Sequence, residues 1–225
     1  MKYNAVLIDI DDTLFNFRQS SFEALVKTFA GFGISFTWEM MPEYEVFNNK
    51  MWHLFELGEI EKDDIYVTRF REYFAFAGFD VDPILANESY IKHLAQGRAF
   101  MPHAEELLQA IHGRYKIFVV TNGDTYAQER RIASSGFSKY FDGVFISEQL
   151  GSKKPEKAFF DKVFAIIGGE YRKTCLMVGD SLTSDMQGGR NAGIPTCYYG
   201  TKETPDDRCD YAITDLLDLI PILES

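Results

Sequence analysis

Short apolar segments that alternate with amphipathic ones constrain the fold of this 225-residue chain more than any other feature. Five of them are continuous apolar runs, which are typical of strands covered on both faces of a sheet. They lie at residues 5–10, 116–121, 143–147, 174–180 and 195–199. Between them, two segments at 103–112 and 156–167 carry their apolar residues on one helical face. This alternation predicts an α/β fold with a parallel sheet and helices on both of its faces.

Residues 17–98 break the alternation. Apolar residues recur there at helical spacing, for example around Phe29 and again around Phe74, and no segment has the pattern of a strand. We therefore expect an all-helical insertion after the first strand. It would divide the chain into an α/β core of residues 1–16 and 99–225 and a helical domain of residues 17–98.

The charge and the cysteines exclude several classes of protein. A net charge of -11 argues against a nucleic acid as partner, because binding to a phosphate backbone needs clustered Lys and Arg. The acidic stretch from Asp206 to Asp210 is expected to be a solvated loop before the last strand and helix. Three cysteines are too few for a disulfide framework, so we expect reduced cysteines and a cytoplasmic protein. The apolar run after Lys2 is too short for a signal peptide, and no run is long enough to make a membrane a partner.

Polar residues stand where the predicted strands end, which is the edge where open α/β sheets bind their ligands. The first strand leads to Asp9 and Asp11, the second to Thr121 and the fourth to Asp180, while Lys154 lies in the loop after the third. Either these carboxylates lie in a solvated loop, or they surround a cation, because burying several of them together is costly. Clustered oxygen ligands suit Mg²⁺, and the lysine and small residues leave room for a dianionic group such as phosphate.

Four segments at these strand ends resemble the four motifs of the haloacid dehalogenase-like (HAD) hydrolase superfamily in order and spacing. They read DIDDT at 9–13, VVTNG at 119–123, GSKKP at 151–155 and GDSLTSD at 179–185. The resemblance covers residues 4–15 and about 100–225. It implies a Rossmann-like α/β core, and it identifies the helical insertion as the C1-type cap of that superfamily.

Two longer segments are similar to one branch of the superfamily, the pyrimidine 5′-nucleotidases. They read NNKMWHLFELGEI at 48–60 and GDSLTSDMQGGRNAGI at 179–194. That branch acts on nucleoside monophosphates, including noncanonical ones. The resemblance therefore implies a small-molecule phosphate ester as the partner of this chain.

The resemblance also gives each strand-end residue a role. Asp9 would be the nucleophile that forms an aspartyl phosphate, and Asp11 the general acid for the leaving alcohol and then the base for water. Asp9, Asp180 and the backbone carbonyl of Asp11 would hold Mg²⁺. Asp185 would act on the metal through water and orient Lys154, which would neutralise the nucleophile and the phosphoryl group. Asp185 also fits a helix N-terminal acid favoured by the helix dipole.

The remaining motif residues would bind substrate or shape the loops. Thr121 would donate a hydrogen bond to a phosphate oxygen, helped by the backbone amides of Asn122 and Gly123. Asp12 is expected to serve the turn of its loop rather than the chemistry. The hydroxyl of Thr13 is expected to hold that same turn.

Three residues of the helical insertion are candidates for contacts to a base or sugar, namely Asn48, Trp52 and Arg69. Trp52 fits the aromatic core of a helical bundle even better than it fits a substrate contact. The sequence thus predicts a Mg²⁺-dependent phosphomonoesterase for nucleoside monophosphates, as a monomer or homodimer. A sugar-phosphate phosphatase or phosphomutase of the same fold stays open, and a non-catalytic phosphate binder is disfavoured by the intact catalytic set.

Overall fold

The structure is a computed structural model that describes residues 2–200 and 207–225. Six parallel strands form one sheet in the order β3-β2-β1-β4-β5-β6. The strands are β1 Ala5–Ile8, β2 Lys116–Thr121, β3 Gly143–Ile146, β4 Cys175–Gly179, β5 Thr196–Tyr199 and β6 Tyr211–Ile213. The predicted parallel α/β sheet is confirmed. Of the acidic stretch before β6, Asp206 lies outside the described residues, whereas Asp207 and Asp210 are exposed.

Helices connect the strands and form the insertion after β1. In the described residues they are α1 Phe17–Gly31, α2 Met41–Leu57, α3 Lys62–Ala77, α4 Pro83–Leu94, α5 Ala104–Ile111, α6 Thr125–Ser135, α7 Ser147–Leu150, α8 Lys157–Ile167, α9 Gln187–Ala192 and α10 Leu219–Glu224. The helices predicted at 103–112 and 156–167 are α5 and α8. Between β4 and α9 the chain forms one π-helical turn at Leu182–Met186.

Both faces of the sheet are covered by helices. Successive side chains of a strand point to opposite faces, so β1 contributes to two separate cores. Val6 and Ile8 pack in one buried cluster with residues of α5 and α10, while Ala5 and Leu7 pack in another with residues of α8. All four side chains are completely buried. This two-sided burial explains why the strand is a continuous apolar run in the sequence.

The helices α1 to α4 form a layer of their own, which we call the cap. Helix α1 packs against α4, α2 against α3, and α3 against α4. Their buried side chains form a largely aromatic cluster that includes Phe29, Tyr44, Phe70 and Tyr73. Among the described residues of the interval 17–98 there is no strand, as the sequence predicts. The domain boundaries at 16/17 and 98/99 stay predictions.

Two of the cysteines lie where the sequence places them, in strands of the sheet. Cys175 in β4 and Cys197 in β5 are buried and form no disulfide. Burial raises the pKa of both thiols to about 12, so they stay protonated at neutral pH. Across residues 2–200 and 207–225, no helix combines the length and the apolar character that crossing a bilayer requires.

Candidate active site

The carboxyl ends of three strands meet at the centre of the sheet, because β1 lies between β2 and β4. Asp9 directly follows β1, and its backbone amide donates to the carbonyl of Val178 at 2.9 Å, which extends the pairing with β4. Asp180 directly follows β4. One carboxylate oxygen from each of Asp9, Asp180 and Asp185 lies within 4.8 Å of the other two. Strand topology alone thus brings the first and fourth sequence motifs together.

Lys154 is the cation at the centre of this cluster. Its Nζ donates to Asp9 Oδ1 at 2.5 Å, to Asp185 Oδ1 at 2.6 Å and to the carbonyl of Val120 at 2.8 Å. Its side chain is only 2% exposed. Burial lowers the pKa of Lys154, but the charges of Asp185 and Asp9 outweigh that effect and raise the pKa above its ordinary value. The lysine is therefore charged, and it neutralises one of the three clustered carboxylates.

The excess of carboxylates over cations fits a divalent metal ion. The pKa of Asp9 is raised to about 8, chiefly by burial, which outweighs the opposing charge of Lys154; the charges of Asp185 and Asp11 also raise it. Burial and the charge of Asp9 raise the pKa of Asp180 well above its ordinary range. Mg²⁺ prefers hard oxygen ligands that are held close together, and a site with more carboxylates than cations has negative charge for it to neutralise. Asp9, Asp180 and Asp185 are the residues whose side chains could hold such an ion.

Asp185 is fixed from two sides. Its Oδ1 accepts from Lys154, and its Oδ2 accepts from the backbone amide of Ser181 at 3.1 Å. A Cβ atom on Gly179 would lie 2.2 Å from Asp185 Oδ2, so this approach requires glycine at 179. The side chain is 1% exposed, so Asp185 is more than an acid at a helix N-terminus. Its contact with Lys154 agrees with the expected orienting role, and its role toward a metal stays a prediction.

Two neighbours in the first motif have different contacts. Asp12 has a left-handed backbone with φ 55°, and its Oδ1 accepts from the amides of Phe17 at 2.9 Å and Arg18 at 3.2 Å. It therefore serves the turn into α1, as expected. The expectation for Thr13 is wrong, because its hydroxyl donates to Asp180 Oδ1 at 3.1 Å rather than to its own turn. Because β1 pairs with β4, the segments that follow the two strands lie near each other, and Thr13 is completely buried there.

Three residues of the second motif form different hydrogen bonds. Thr121 Oγ1 accepts from the amide of Gly123 at 3.0 Å, which leaves its hydroxyl proton to donate to a ligand. The side chain of Asn122 donates to the carbonyl of Lys154 at 2.9 Å and accepts from the amide of Lys154 at 3.0 Å. Asn122 thus anchors the lysine loop with its side chain. The amide of Gly123 is engaged by Thr121, so a contact from Gly123 to substrate stays a prediction.

Asp11 is turned away from the acidic cluster toward helix α6. Its Oδ1 accepts from Arg131 Nη1 at 2.5 Å and its Oδ2 accepts from Gln128 Nε2 at 2.6 Å. Neither partner of Asp11 was predicted from the sequence. A signal was present, because the buried face of α6 reads Ala127, Gln128, Arg131 and Ile132, and two polar residues stand where a helix normally buries apolar ones.

A cavity of about 490 Å³ lies between the cap and the strand ends. The three cap residues singled out from the sequence, Asn48, Trp52 and Arg69, all line it. Buried Arg69 donates from Nη1 to Asn48 Oδ1 at 3.2 Å and from Nη2 to Asn87 Oδ1 at 2.8 Å. Trp52 packs edge-on against Phe55 with 5.8 Å between ring centres, so it belongs both to the cap packing and to the cavity wall. Their contacts to a substrate stay predictions.

Cap side chains reach the core on two sides of the cavity, which the sequence analysis did not foresee. Lys62 Nζ donates to the carbonyl of Gly123 at 2.7 Å and forms an ion pair with Glu148 at 3.2 Å. On the other side, Glu56 Oε2 accepts from Thr183 Oγ1 at 2.6 Å. The cap is therefore attached to residues of the second and fourth motifs and to Glu148 in α7.

Comparison with known proteins gives consistent matches. A model of the haloacid dehalogenase-like hydrolases matches residues 3–193. The pyrimidine 5′-nucleotidase PynA of Streptococcus pneumoniae is 36% identical over 228 residues, which cover 98% of this chain and 96% of that protein. The pyrimidine 5′-nucleotidase YjjG of Escherichia coli is 35% identical over 208 residues, 92% of this chain and 91% of that protein. The crystal structure of the HAD-hydrolase YfnB from Bacillus subtilis, bound to magnesium, superposes with a TM-score of 0.93 at 31% identity and covers 100% of both chains.

Proposed function

The chain belongs to the haloacid dehalogenase-like hydrolase family and is a phosphatase, and from this premise we propose that it is a Mg²⁺-dependent phosphomonoesterase for nucleoside monophosphates. One observation carries the proposal. Asp9, Asp180 and Asp185 converge with Lys154 at the floor of a cavity of about 490 Å³. That volume lies within the range of about 300–1,000 Å³ that is usual for small-molecule sites. The relatives PynA and YjjG support a pyrimidine nucleotide as the substrate.

The first half of the proposed reaction transfers the phosphoryl group to the enzyme. A carboxylate oxygen of Asp9 forms a bond to phosphorus while the bond from phosphorus to the ester oxygen breaks. Asp11 gives its proton to that ester oxygen, which leaves as an alcohol. The Thr121 hydroxyl and the Asn122 amide donate to the phosphoryl oxygens, and the charge of Lys154 offsets their negative charge. Asp9, Asp180 and Asp185, with the backbone carbonyl of Asp11, would hold a Mg²⁺ ion, which would supply Lewis-acid stabilisation of that charge.

The second half restores the enzyme. Asp11, now ionised, takes a proton from a water molecule, and the water oxygen attacks phosphorus. The bond between phosphorus and the Asp9 oxygen breaks, so inorganic phosphate leaves and Asp9 is again a carboxylate. Asp185 takes no proton in either half, and it holds Lys154 beside Asp9 throughout.

A phosphate-release assay tests this function. The enzyme is offered uridine and thymidine monophosphate beside sugar phosphates, with Mg²⁺ and with EDTA. We expect Mg²⁺-dependent release from the pyrimidine nucleotides, lost in Asp9→Asn and kept in Asp80→Asn, which changes an exposed loop residue in the same way. Release that is confined to sugar phosphates would contradict the nucleotide assignment, and hydrolysis that survives Asp9→Asn would contradict the mechanism.

We also infer that the enzyme works in the cytoplasm. Cys175 and Cys197 are buried thiols rather than disulfides, as expected of a protein in a reducing compartment. Fractionation of source cells, followed by the nucleotidase assay on each fraction, tests the location.

A further inference from the structure

The carboxyl group of Asp11 is held by two side chains that lie outside the four sequence motifs. Arg131 Nη1 donates to Asp11 Oδ1 at 2.5 Å and to Gln128 Oε1 at 3.2 Å. Gln128 Nε2 donates to Asp11 Oδ2 at 2.6 Å and to Thr121 Oγ1 at 3.0 Å. These bonds close a ring in which each carboxyl oxygen has a different donor, so the plane of the carboxyl group is fixed. We call Gln128 and Arg131 the Asp11 clamp.

The burial of Arg131 indicates that the Asp11 clamp costs free energy of folding. The Arg131 side chain is 1% exposed, and within the described part of the chain Asp11 is its one ion-pair partner. Its Nε and Nη2 atoms are buried and have no hydrogen-bond partner in residues 2–200 and 207–225, while the guanidinium lies 4.8 Å from the centre of the Phe15 ring. Burying a guanidinium costs free energy that one ion pair does not fully offset, and an apolar side chain would pack there more favourably. A buried guanidinium with unpaired N–H groups at this place points to a function.

The second motif makes room for the clamp. A Cβ atom on Gly123 would lie 2.2 Å from Gln128 Nε2 and 2.8 Å from its Cδ. Gly123 is not among the residues with positive φ, so its backbone conformation does not itself require glycine. A Cβ atom at position 123 would therefore displace the Gln128 amide from its contacts with Asp11 and Thr121.

We propose that Gln128 and Arg131 are positioning residues that aim the carboxyl group of Asp11 at the leaving group of the substrate. The proposal rests on the proposed function, in which Asp11 protonates the ester oxygen as its bond to phosphorus breaks. Gln128 also holds Thr121, which would bind the phosphoryl group, so the proton donor and the phosphate pocket share one rigid frame. A carboxylate has about four acceptor positions and the clamp uses two, which leaves positions for the transferred proton.

Two substrates with different leaving groups test this role. A nucleoside leaves as an alkoxide unless it is protonated, whereas p-nitrophenolate is stable as an anion and needs no proton. The value of kcat/KM reports the steps up to transfer of the phosphoryl group to Asp9 and therefore isolates the acid step. We expect Arg131→Met to lower kcat/KM for uridine monophosphate about 100-fold, and for p-nitrophenyl phosphate less than about threefold. Gln128→Met should shift the ratio of the two values in the same direction by a smaller factor.

Three comparisons separate positioning from folding. Arg130→Met makes the same substitution at the exposed neighbour on α6 and should leave the ratio as in the wild type. Arg131→Lys keeps a cation that can reach Asp11, so it should keep more activity on uridine monophosphate than Arg131→Met. Gln128→Met conserves volume at a buried position and remains informative if thermal unfolding shows that Arg131→Met is not folded.

The outcomes are distinct. An equal loss on both substrates, or no loss on either, in folded Arg131→Met and Gln128→Met would overturn the positioning role. A wild-type enzyme that is inactive on nucleotides but active on a sugar phosphate would contradict only the nucleotide assignment. The same ratio is then measured with that sugar phosphate, whose alcohol also needs a proton, and the prediction for the clamp is unchanged.

Discussion

The core and the cap both place a buried cation beside the cavity, but they fix it by different means. In the core, Lys154 is held by two carboxylates and a carbonyl that strand ends and their loops deliver. In the cap, Arg69 is held by the side-chain oxygens of Asn48 and Asn87 and by the ring of Tyr90, 4.7 Å from the guanidinium. Among the described residues, no carboxylate forms an ion pair with Arg69.

The different partners of Lys154 and Arg69 indicate different roles, one in the reaction and one in substrate binding. A cation that is saturated by carboxylates organises the groups that react, so removing it should stop the chemistry. A buried cation that has only neutral partners retains attraction for polar or anionic atoms of a ligand, so removing it should weaken binding. The predictions below test that division from the largest expected effect to the smallest.

Lys154→Met should give the largest effect. It leaves Asp9 and Asp185 buried without their cation, which is expected to cost about 3–5 kcal/mol of unfolding free energy and to abolish detectable phosphate release. Urea unfolding and a phosphate-release assay measure the two losses. Lys153→Met is the matched control, since the Lys153 ammonium lies 3.7 Å from the centre of the Phe55 ring in the cap. A Lys154→Met enzyme with kcat near that of the control would show that the buried lysine of the core is not needed for the reaction.

The stability of the metal-free enzyme should depend on pH because of the core carboxylates. The pKa of Asp9 is raised to about 8 in the folded protein, whereas an unfolded aspartate has a pKa of about 3.9. Between these values the folded state holds a proton that the unfolded state lacks. Stability therefore falls as pH rises through that window, by up to about 1.4 kcal/mol per pH unit for one such group.

Melting curves between pH 5 and 8 in EDTA measure this slope. The Asp9→Asn variant should show a shallower slope, because its amide carries no titrating proton. Added Mg²⁺ should raise the melting temperature more at pH 8 than at pH 5, since bound metal replaces those protons. If the melting temperatures of the wild type and Asp9→Asn change equally with pH, Asp9 titrates as an ordinary aspartate.

Arg69→Met tests the cap side of the comparison. We expect KM for uridine monophosphate to rise about tenfold, which corresponds to about 1.4 kcal/mol, while kcat falls less. Steady-state kinetics on the nucleotide give both values. Arg71→Met on the same helix is the control, because Arg71 is exposed and, among the described residues, its guanidinium donates a hydrogen bond only to Thr68. A fall in kcat with KM unchanged would show that Arg69 acts in the reaction step rather than in binding, which would contradict the proposed difference between cap and core.

Lys62→Met should give the smallest effect. Its ion pair with Glu148 joins cap to core, but the Lys62 side chain is only 9% exposed, so the cost of burying the ammonium offsets much of the attraction. Replacing the lysine by an apolar side chain is therefore expected to cost about 0–1 kcal/mol. KM should rise by no more than about fivefold, and unfolding should change little. Lys50→Met removes an ion pair between Lys50 and Glu72 that lies within the cap, and it should leave KM unchanged. An equal rise in KM for both variants would show that the contact between Lys62 and Glu148 has no specific role in substrate binding.

The sequence was sufficient for the sheet and for the acidic cluster. Continuous apolar runs predict strands covered on both faces, and a parallel sheet then brings their carboxyl ends together. Asp9 and Asp180 meet because β1 pairs with β4, which needs no knowledge of side-chain packing. Lys154 comes from the loop after β3 and reaches Asp9 past the end of β2, where it also bonds to the carbonyl of Val120. The roles of these residues came from the resemblance rather than from the pattern.

The missed contacts share a physical cause. Gln128 and Arg131 reach Asp11 across 117 and 120 residues of sequence, and helical periodicity shows that they face inward but not what they meet. Thr13 was assigned to its own turn because the local pattern cannot show that a neighbouring strand brings Asp180 closer. Lys62 reaches Gly123 only because the cap lies over the sheet edge, and that placement depends on packing of whole helices.

Calorimetric titration of Mg²⁺ into the wild type and into Asp180→Asn tests the central claim most directly. The claim is that three clustered carboxylates and one lysine form a site for a divalent ion beneath the cavity. It predicts saturable binding of one Mg²⁺ per chain in the wild type, weakened at least about tenfold in Asp180→Asn, which keeps the shape of the side chain but removes its charge. Equal Mg²⁺ affinity in the two proteins, or no binding by the wild type, would contradict it.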